Sequence, residues 1–283
     1  MFEVPRRPQR LAVALPATFT LDIPHLREKT ARIGLVARSL AIFRVEKVVL
    51  YQDQDSGRAV TEAKLLEKIL RFLETPQYLR RRLFGLDPDL SFAGILPPLR
   101  TPHHPDQAEP HAGDLREGIV VSFGPPSRIE AGFKQPIEVK TIARPSERVT
   151  IRITKPGPMP EGELIDPSGL RIYWGFRVTR ETHSLGELVK RGDHDLTIST
   201  SRKGRDVREV MEALRPRWKS ARRPLVLFGS PKEGVPEILS RDRVQISEVD
   251  FNINTIPRQG VETVRTEEAL LGTLSVLNLI GEE

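Results

Sequence analysis

The sequence lacks cysteine altogether, although it runs to 283 residues. Without a thiol it can form no disulfide, no thiolate zinc site and no cysteine nucleophile, and such a composition is typical of proteins kept inside the cell. No uncharged apolar run approaches the roughly 20 residues of a membrane-spanning helix. Pro16 interrupts the apolar run 11–15, so we predict no secretory signal and expect a cytoplasmic protein with no membrane partner.

Aromatic residues are also few, at 6% of the chain, so base stacking cannot be the main source of affinity for a nucleic acid. Charge is more informative, because 44 Lys and Arg residues against 38 Asp and Glu residues leave a net charge of +6. A net positive charge favours a polyanionic partner such as nucleic acid. Composition alone equally allows a well-solvated surface that is merely positive.

The first part of the chain is predicted to fold as strand, helix, strand and helix. Residues 11–15 and 44–51 are short apolar runs typical of buried strands, and 26–43 has apolar residues at helical spacing. This succession indicates a parallel pair of strands with a crossover helix. A second helix follows, which we expect Thr61 to cap and Pro76 to end.

Segment 93–180 has a different character, because it is rich in proline and glycine and contains short alternating stretches. The stretches that we predict as strands are 118–123, 136–140, 148–153 and 169–174. Short strands at this spacing indicate a small antiparallel β-barrel of OB-like size.

The α/β pattern returns in the last third. We predict strands at 195–199, 224–228 and 244–249, and helices at 206–214 and 266–280. One α/β domain is therefore split by an inserted β domain. The predicted segments are 1–90 and 180–283 for the α/β domain and 91–179 for the insertion.

Three loops in the last third each follow a predicted strand, at 199–204, 228–235 and 252–269. Ligands of parallel sheets bind outside the carboxyl ends of the strands, so the three loops could line one pocket. The third loop is long and polar and leads directly into the last helix. From the pattern alone it fits equally well a mobile surface connection with Thr266 as a helix cap.

The loop 228–235 does not have the residues of a nucleotide-hydrolysing site. Gly229 and Gly234 have the spacing of a phosphate-binding loop, but Val235 and Pro236 stand where Lys and Ser or Thr are required. No Gly-x-Gly-x-x-Gly run follows a strand either. Phosphate-loop enzymes and dinucleotide-binding enzymes are therefore both disfavoured.

Two motifs near the C-terminus are the most specific features of the sequence. They are Phe228-Gly-Ser-Pro-Lys-Glu-Gly234 and Asn254-Thr-Ile-Pro-Arg-Gln-Gly-Val-Glu-Thr-Val-Arg-Thr-Glu-Glu-Ala269. Together they resemble the last two motifs of the SPOUT, or trefoil-knot, superfamily. In particular they are similar to an archaeal and eukaryotic family of RNA methyltransferases with an OB-like domain inserted into the knot domain. Residues 12–18 and 33–51 resemble that family's first strand, helix and strand.

The resemblance implies a fold, a cofactor and partners. The fold is α/β, a parallel-sheet trefoil-knot domain with an inserted small antiparallel β-barrel, and its last segment threads through a loop, which is rare among proteins. The cofactor is S-adenosylmethionine (SAM), and the enzyme is a homodimer with its site at the subunit interface. The implied substrate is RNA, most of all ribosomal RNA (rRNA), methylated at a uridine base nitrogen or, as the second choice, at a ribose 2′-hydroxyl.

The resemblance also implies which residues hold the cofactor. Gly229 would let the backbone approach it closely, and Ile256 and Val264 would pad the adenine. The full set is Thr200, Ser201, Lys203, Phe228, Gly229, Ser230, Gly234, Asn254, Thr255, Ile256, Gln259, Gly260, Thr263, Val264, Arg265, Thr266 and Ala269.

Arg38 lies among apolar neighbours on the predicted helix 26–43. The pattern alone allows a solvent-facing arginine, whereas the resemblance implies a catalytic one that orients the target nucleotide or a phosphate. Alignment can supply most of the rate of a methyl transfer. Because a guanidinium keeps its proton at neutral pH, the role assigned to Arg38 is orientation and charge stabilisation rather than proton abstraction.

Basic residues of the first segment, the inserted domain and the last third predict an RNA-binding track, although solvated faces are the ordinary alternative. The predicted RNA-binding residues are Arg80, Arg81, Arg82, Arg128, Lys134, Arg148, Arg152 and Arg202. A protein of the same fold with little or no activity, acting in RNA binding or ribosome assembly, is the alternative function.

Histidines near acidic residues raise the question of a metal site. His103, His104 and His111 lie close to Asp106 and Glu109 in a proline-rich stretch. Imidazole and carboxylate groups can bind a metal. The stretch is loop-like and has no helical His spacing, so we predict a solvated or inter-domain loop and expect no metal.

Overall fold

The computed structural model describes residues 3–106, 109–122, 124–140, 144 and 146–281. The chain divides into two compact units. The barrel unit takes residues 1–6, 74–88 and 99–175, and the sheet unit takes 7–73, 89–98 and 176–283. The segment limits predicted at 91 and 180 stay a prediction, since the two units interleave around residues 74–98.

Within the described residues these units contain eleven strands and seven α-helices. The strands are β1 (Ala12–Pro16), β2 (Lys47–Tyr51), β3 (Leu115–Ser122), β4 (Ser127–Glu130), β5 (Ile137–Val139), β6 (Arg148–Lys155), β7 (Glu161–Ile165), β8 (Arg177–Arg180), β9 (Leu196–Asp206), β10 (Pro224–Leu227) and β11 (Phe251–Asn254). The helices are α1 (Leu26–Ile42), α2 (Gly57–Glu74), α3 (Gln77–Phe84), α4 (Leu185–Lys190), α5 (Val207–Ser220), α6 (Val235–Arg241) and α7 (Thr266–Gly281). In this part of the chain no helix is long and apolar enough to cross a membrane.

The sheet unit is built on six strands in the order β11-β9-β10-β1-β2-β8. Every pairing between neighbours in this order is parallel. β1 and β10 are buried along their whole length, which is the pattern of strands covered by helices on both faces. The predicted α/β domain with a parallel sheet is thereby confirmed, whereas the threading of its last segment stays a prediction.

The barrel unit contains a closed five-stranded barrel in the order β3-β4-β5-β7-β6. Its interior is a cluster of small aliphatic side chains that includes Ile129, Ile137 and Ile151. Gly118 is required at its position, because a Cβ there would lie 2.3 Å from Ile129 Cγ2. An inserted barrel of the predicted size is thus confirmed. It is mixed rather than wholly antiparallel, because β5 and β7 pair in parallel.

The predicted strand 169–174 is wrong. Its residues follow a single 3-10 turn at Pro167–Gly169, and only Ile172 makes an isolated bridge, to Pro5. β4 and β7 were not predicted because neither shows the apolar alternation of a half-buried strand. β4 has one apolar residue in four, and β7 mixes glutamates with a glycine.

Two further local predictions are wrong. Thr61 lies inside α2, where its hydroxyl donates to the Gly57 carbonyl oxygen at 3.0 Å instead of capping the helix. The predicted strand 244–249 contains a 3-10 turn at Ile246–Glu248, and the sixth strand of the sheet is β11, a few residues later.

Candidate functional site

The three predicted loops lie together because their strands are neighbours. β11, β9 and β10 are adjacent and parallel, so their carboxyl ends meet at one edge of the sheet. Thr200 Oγ1 donates to the Leu227 carbonyl oxygen at 2.9 Å. Asn254 Nδ2 donates to the Arg202 carbonyl oxygen at 3.1 Å. We call the resulting group of segments (200–204, 228–234 and 255–265) the loop cluster.

The first segment of the loop cluster is a bulge within β9 rather than a loop after it. Asn252 and Ile253 are consecutive in β11, but they pair with Ser199 and Arg205 of β9. The β9 residues 200–204 have no partner in β11 and therefore project from the sheet as a bulge. Gly204 permits the return to the ladder, because a Cβ there would lie 2.6 Å from the backbone carbonyl carbon of Ile253.

Ser201 and Lys203 are accessible on this bulge. Ser201 Oγ accepts a hydrogen bond from the Lys203 backbone N–H at 3.1 Å. Lys203 Nζ lies 2.9 Å from Glu237 Oε1, and this hydrogen bond holds the pKa of Glu237 below its ordinary value. The Lys203 side chain is 72% exposed, so the pair is a weak surface contact that a ligand can replace.

The second segment is a tight turn that closes on itself. Phe228 is buried, and its N–H donates to the Ala14 carbonyl oxygen at 3.1 Å. The Ser230 N–H donates to the Glu233 carbonyl oxygen at 2.8 Å. A Cβ on Gly229 would lie 2.8 Å from that same Glu233 oxygen. The turn therefore requires a glycine at 229 for its own closure, whatever lies against it.

The third segment is anchored at its start. The Ile256 N–H donates to Asn254 Oδ1 at 3.0 Å, and Thr255 Oγ1 lies 2.8 Å from Thr273 Oγ1 of α7. Ile256 packs against Gly272 of the same helix. This part of the segment is thus attached to α7 and can form one wall of a pocket.

The rest of the third segment offers main-chain groups to a ligand. The backbone N–H groups of 258–264 donate to no atom of the described chain. Gln259 Nε2 donates to the Val261 carbonyl oxygen at 2.8 Å, and Arg202 Nη1 donates to that of Glu262 at 2.6 Å, so side chains hold the segment in place. Around Gly260 nothing lies within 4 Å of a Cβ built there. A ligand bound here could be recognised largely by backbone groups.

The remaining predicted cofactor residues continue from this segment into α7. Arg265 donates from its N–H to Glu268 Oε2 at 2.9 Å, and Thr266 is buried at the start of the helix. Thr263 and Arg265 are exposed, Val264 and Ala269 are half-buried, and Thr266 is buried. Gly234 lies in the second segment, where it is the N-cap of α6. The structure thus brings all the predicted cofactor residues to one edge of the sheet.

At the neighbouring part of this edge, polar side chains form hydrogen bonds and an ion pair with other groups of the chain. Asp53, after β2, accepts from the Thr18 N–H at 3.1 Å and also from the Thr18 hydroxyl. Burial raises the pKa of Asp53, although these hydrogen bonds oppose the shift. Lys29 Nζ lies 2.6 Å from Glu62 Oε2, which is also buried. These polar groups are therefore paired within the chain.

Arg38 is not brought to the loop cluster within one chain. α1 starts at the carboxyl edge, and at 1.5 Å per residue Arg38 lies about 18 Å along the helix from Leu26. Its Nη1 donates to the Pro98 carbonyl oxygen at 3.0 Å. Its catalytic role stays a prediction.

Most of the predicted RNA-binding residues of the barrel unit already have acidic or carbonyl partners. Arg82 pairs with Glu130, Arg128 with Glu138 and Arg152 with Glu163, at 2.8, 3.3 and 3.0 Å. Arg80 Nε donates to the Thr75 carbonyl oxygen at 2.9 Å, and burial lowers its pKa to about 10. Lys134 is exposed, and Arg81 is also exposed. These ion pairs lower the local positive charge that attracts phosphates.

Arg148 is a structural residue of the barrel unit. Its Nη1 lies 2.6 Å from Glu74 Oε2, and its Nε lies 2.8 Å from Glu117 Oε2. Both carboxylates are buried. Burial opposes the ionisation of Glu74, yet Arg148 and His103 hold its pKa well below the ordinary value. Arg148 is therefore paired with two buried acids, and its predicted role in RNA binding stays a prediction.

The histidines next to this network are hydrogen-bonded to the protein. His103 Nε2 and His104 Nε2 lie 2.8 and 2.6 Å from the Glu74 carbonyl oxygen, so each Nε2 carries the proton and donates it. His111 lies apart from them, 3.7 Å from Asp114. No group of side chains in the described ranges could hold a metal ion.

His104 should make the protein less stable in mild acid. Burial lowers its pKa to about 3, so between pH 6.5 and 3 it binds a proton in the unfolded chain and not in the folded one. The free energy of unfolding should therefore fall by about 1–2 kcal/mol from pH 7 to 5. His104→Gln should remove this part of the pH dependence in urea titrations, whereas His111→Gln, at an exposed position, should not. An unchanged slope in His104→Gln would contradict the assignment.

The fold and the loop cluster define an α/β protein with a candidate ligand site at the carboxyl edge of a parallel sheet. The profile of the family described as "Putative RNA methyltransferase" matches residues 10–277. The chain belongs to this family, and the predicted enzyme class, an RNA methyltransferase, is confirmed.

Named relatives span almost the whole chain. It is 32% identical over 304 aligned residues to the human 28S rRNA (uridine-N(3))-methyltransferase, covering 96% of this chain and 78% of that protein. It is 35% identical to an uncharacterized protein of Halobacterium salinarum, covering 95% of this chain and 98% of that one. A methyltransferase of Legionella pneumophila with bound SAM superposes with a TM-score of 0.40 at 11% identity, over 100% of this chain and 71% of that one, too low an overlap to define a fold.

Proposed function

We propose that the protein transfers a methyl group from SAM to the N3 atom of a uridine in rRNA. The observation that carries the proposal is the similarity to the human 28S rRNA (uridine-N(3))-methyltransferase over 96% of the chain. That relative is named for a base nitrogen, so the ribose hydroxyl that the sequence left open as a second choice is not proposed. In the reaction the N3–carbon bond forms, the sulfur–carbon bond breaks, and the N3 proton leaves.

The loop cluster fits SAM, which supplies an electrophilic methyl group when bound. The unpartnered N–H groups of 258–264 and the open space beside Gly260 would take the polar and ring portions of the cofactor. Ile256, attached to α7, would contact the adenine, as the resemblance implies. The bulge with Ser201 and Lys203 would lie beside the cofactor. Because these are mostly backbone groups held by side chains behind them, the site is formed before the ligand arrives.

We further propose that the enzyme acts as a homodimer through the outer faces of α1 and α7. The exposed side of these helices carries Leu35, Ile42, Leu271 and Leu279, which are 55%, 52%, 45% and 79% exposed. Arg38 shares the α1 face with Leu35 and Ile42, being three residues from one and four from the other. A second copy on this face would cover the leucines and receive Arg38. Leu279→Asp should give a monomer in sedimentation analysis, and a dimer that persists would contradict this arrangement.

The substrate's phosphates are expected beside the loop cluster. Arg205 on β9 is exposed, and its side chain makes no hydrogen bond or ion pair within the described residues. Arg258, in the third segment, has a φ of 58°, in the left-handed region that favours glycine. It lies close enough to Asp206 to contribute to the lowered pKa of that carboxyl, after the hydrogen bonds from Arg208. Strained backbone of this kind is often found at functional sites. Neither residue is among the RNA-binding residues predicted from the sequence.

Arg205→Gln together with Arg258→Gln should weaken RNA binding and its salt dependence. Each lost phosphate contact reduces the slope of log K against log salt by about 1, so the double variant should lose about 2. The matched control is Arg128→Gln with Arg152→Gln, which removes the same charge from the barrel. Equal losses of slope in the two double variants would contradict a phosphate site beside the loop cluster.

The proposed activity is tested by transfer of label from methyl-labelled SAM to rRNA. Arg38→Ala should lower the transfer rate at least about tenfold while the affinity for S-adenosylhomocysteine stays unchanged, because orientation acts on the rate of the chemical step. If the wild-type protein shifts RNA in a gel but transfers no label, it acts as an RNA-binding or assembly factor instead. Equal losses of rate and cofactor affinity in Arg38→Ala would contradict the role of Arg38.

A further inference from the structure

The sheet unit has a cavity outside the loop cluster, between the first turns of α1 and the segment 89–98. Its volume is about 560 Å³, within the range of small-molecule sites. The cavity is lined by His25, Leu26, Arg27, Glu28, Ala31, Phe92 and Ile95. Because α1 follows β1, the cavity lies towards the carboxyl edge of the sheet, the same edge that carries the loop cluster.

The segment 89–98 forms one wall of the cavity and carries Phe92, and both of its ends are attached to other parts of the sheet unit. Asp89 Oδ2 lies 2.5 Å from Lys68 Nζ, and the Pro98 carbonyl oxygen accepts from Arg38. Gly34 of α1 lets Pro97 lie against the helix, since a Cβ on Gly34 would be 2.9 Å from Pro97 Cδ. The cavity is therefore bounded by anchored elements. Arg38 has a positioning role here, because it holds the end of this wall.

The groups around the cavity are suited to a nucleobase. Phe92 is 38% exposed, and it is the one aromatic side chain among the exposed large apolar residues of the described chain. His25, Arg27 and Glu28 are exposed, and their side chains make no hydrogen bond or ion pair within the described ranges. Unstacked RNA bases are recognised by an aromatic face together with hydrogen-bonding groups for the base edge.

We propose that this cavity binds an unstacked uracil base of the substrate RNA. The base stacks on Phe92, and Arg27 donates to its carbonyl oxygens. Glu28 accepts from the N3–H that uracil has and cytosine lacks, and its negative charge disfavours a phosphate in the same place. The inference rests on the proposed function only in that the ligand is RNA.

The test measures binding of fluorescein-labelled single-stranded U8 and C8 to the full chain by anisotropy. Phe92→Ala should weaken U8 binding about tenfold, the usual effect of losing one stacked base. Val60→Ala, which shortens a similarly exposed apolar side chain on α2, should leave U8 binding unchanged and serves as the control. Glu28→Gln should reduce the preference for U8 over C8. In addition, a U8 probe with one 4-thiouridine should crosslink within 25–31 or 89–98.

Three results would overturn the inference. The first is an unchanged U8 affinity in Phe92→Ala, and the second is a crosslink that maps elsewhere. The third is a Phe92→Ala protein that keeps its U8 affinity but no longer forms a dimer. That result would mean that in the wild type a second copy of the chain, and not RNA, occupies the cavity. Failure of the proposed function gives a different result: the wild type transfers no methyl label, while Phe92→Ala still weakens U8 binding.

Discussion

Gly260→Leu is expected to lower the affinity for S-adenosylhomocysteine at least about tenfold, which corresponds to 1.4 kcal/mol, while the fold stays intact. Nothing lies within 4 Å of a Cβ at this position, so the chain itself does not obstruct the start of a side chain there. The affinity falls only if the cofactor occupies that space. Calorimetric titration measures the affinity, and thermal unfolding should show a stability change of no more than about 0.5 kcal/mol.

Gly57→Leu is the matched control, because a Cβ at Gly57 also meets nothing within 4 Å and the residue lies at the start of α2. Its affinity should equal that of the wild type. Gly229→Trp should also abolish binding, but less informatively, since a side chain at 229 collides with the Glu233 carbonyl oxygen of its own turn. Wild-type affinity in Gly260→Leu would mean that the cofactor lies elsewhere.

Arg148→Ala is expected to cost about 3–5 kcal/mol of folding stability, because it leaves buried carboxylates without their counter-charge. The two acids are Glu74 and Glu117, whose side chains are 10% and 7% exposed. Glu117 keeps its hydrogen bonds from Thr150 and Trp174, which limits the loss at that end. Urea unfolding monitored by tryptophan fluorescence measures the effect.

The comparison variant for this prediction is Arg152→Ala on the same strand, β6. Arg152 pairs with Glu163 at the surface, where both side chains are about half exposed, so its loss should cost no more than about 1 kcal/mol. If Arg148→Ala were as stable as Arg152→Ala and lost RNA affinity instead, Arg148 would be a nucleic-acid contact, as the sequence suggests.

The centre of the parallel sheet could be predicted from sequence because β1, β2 and β10 are nearly uniform apolar runs. β1 and β10 are buried on both faces, and burial of this kind leaves a strong signal. The bulge at 200–204 could not be predicted, because it depends on pairing with β11, some 50 residues later in the chain. β11 itself is a four-residue strand with two asparagines, and no local pattern distinguishes it from a loop.

The candidate site could likewise be predicted from the sequence only in part. The motifs around Gly229 and Gly260 predict the cofactor residues through the resemblance, and the parallel order of β9, β10 and β11 explains why these residues lie at one edge of the sheet. Charge runs do not show which basic residues are paired within the chain, since the sequence does not reveal that Arg148 lies against Glu74. The cavity beside Phe92 was missed because its two walls are about 60 residues apart in the chain and only tertiary packing joins them.

The most direct test of the proposed function is nucleoside analysis of rRNA after incubation with the protein and methyl-labelled SAM. The proposal predicts that the label appears in 3-methyluridine and that Gly260→Leu abolishes it at limiting SAM. Label in 2′-O-methyluridine, or RNA that binds to the protein and carries no label, would contradict it.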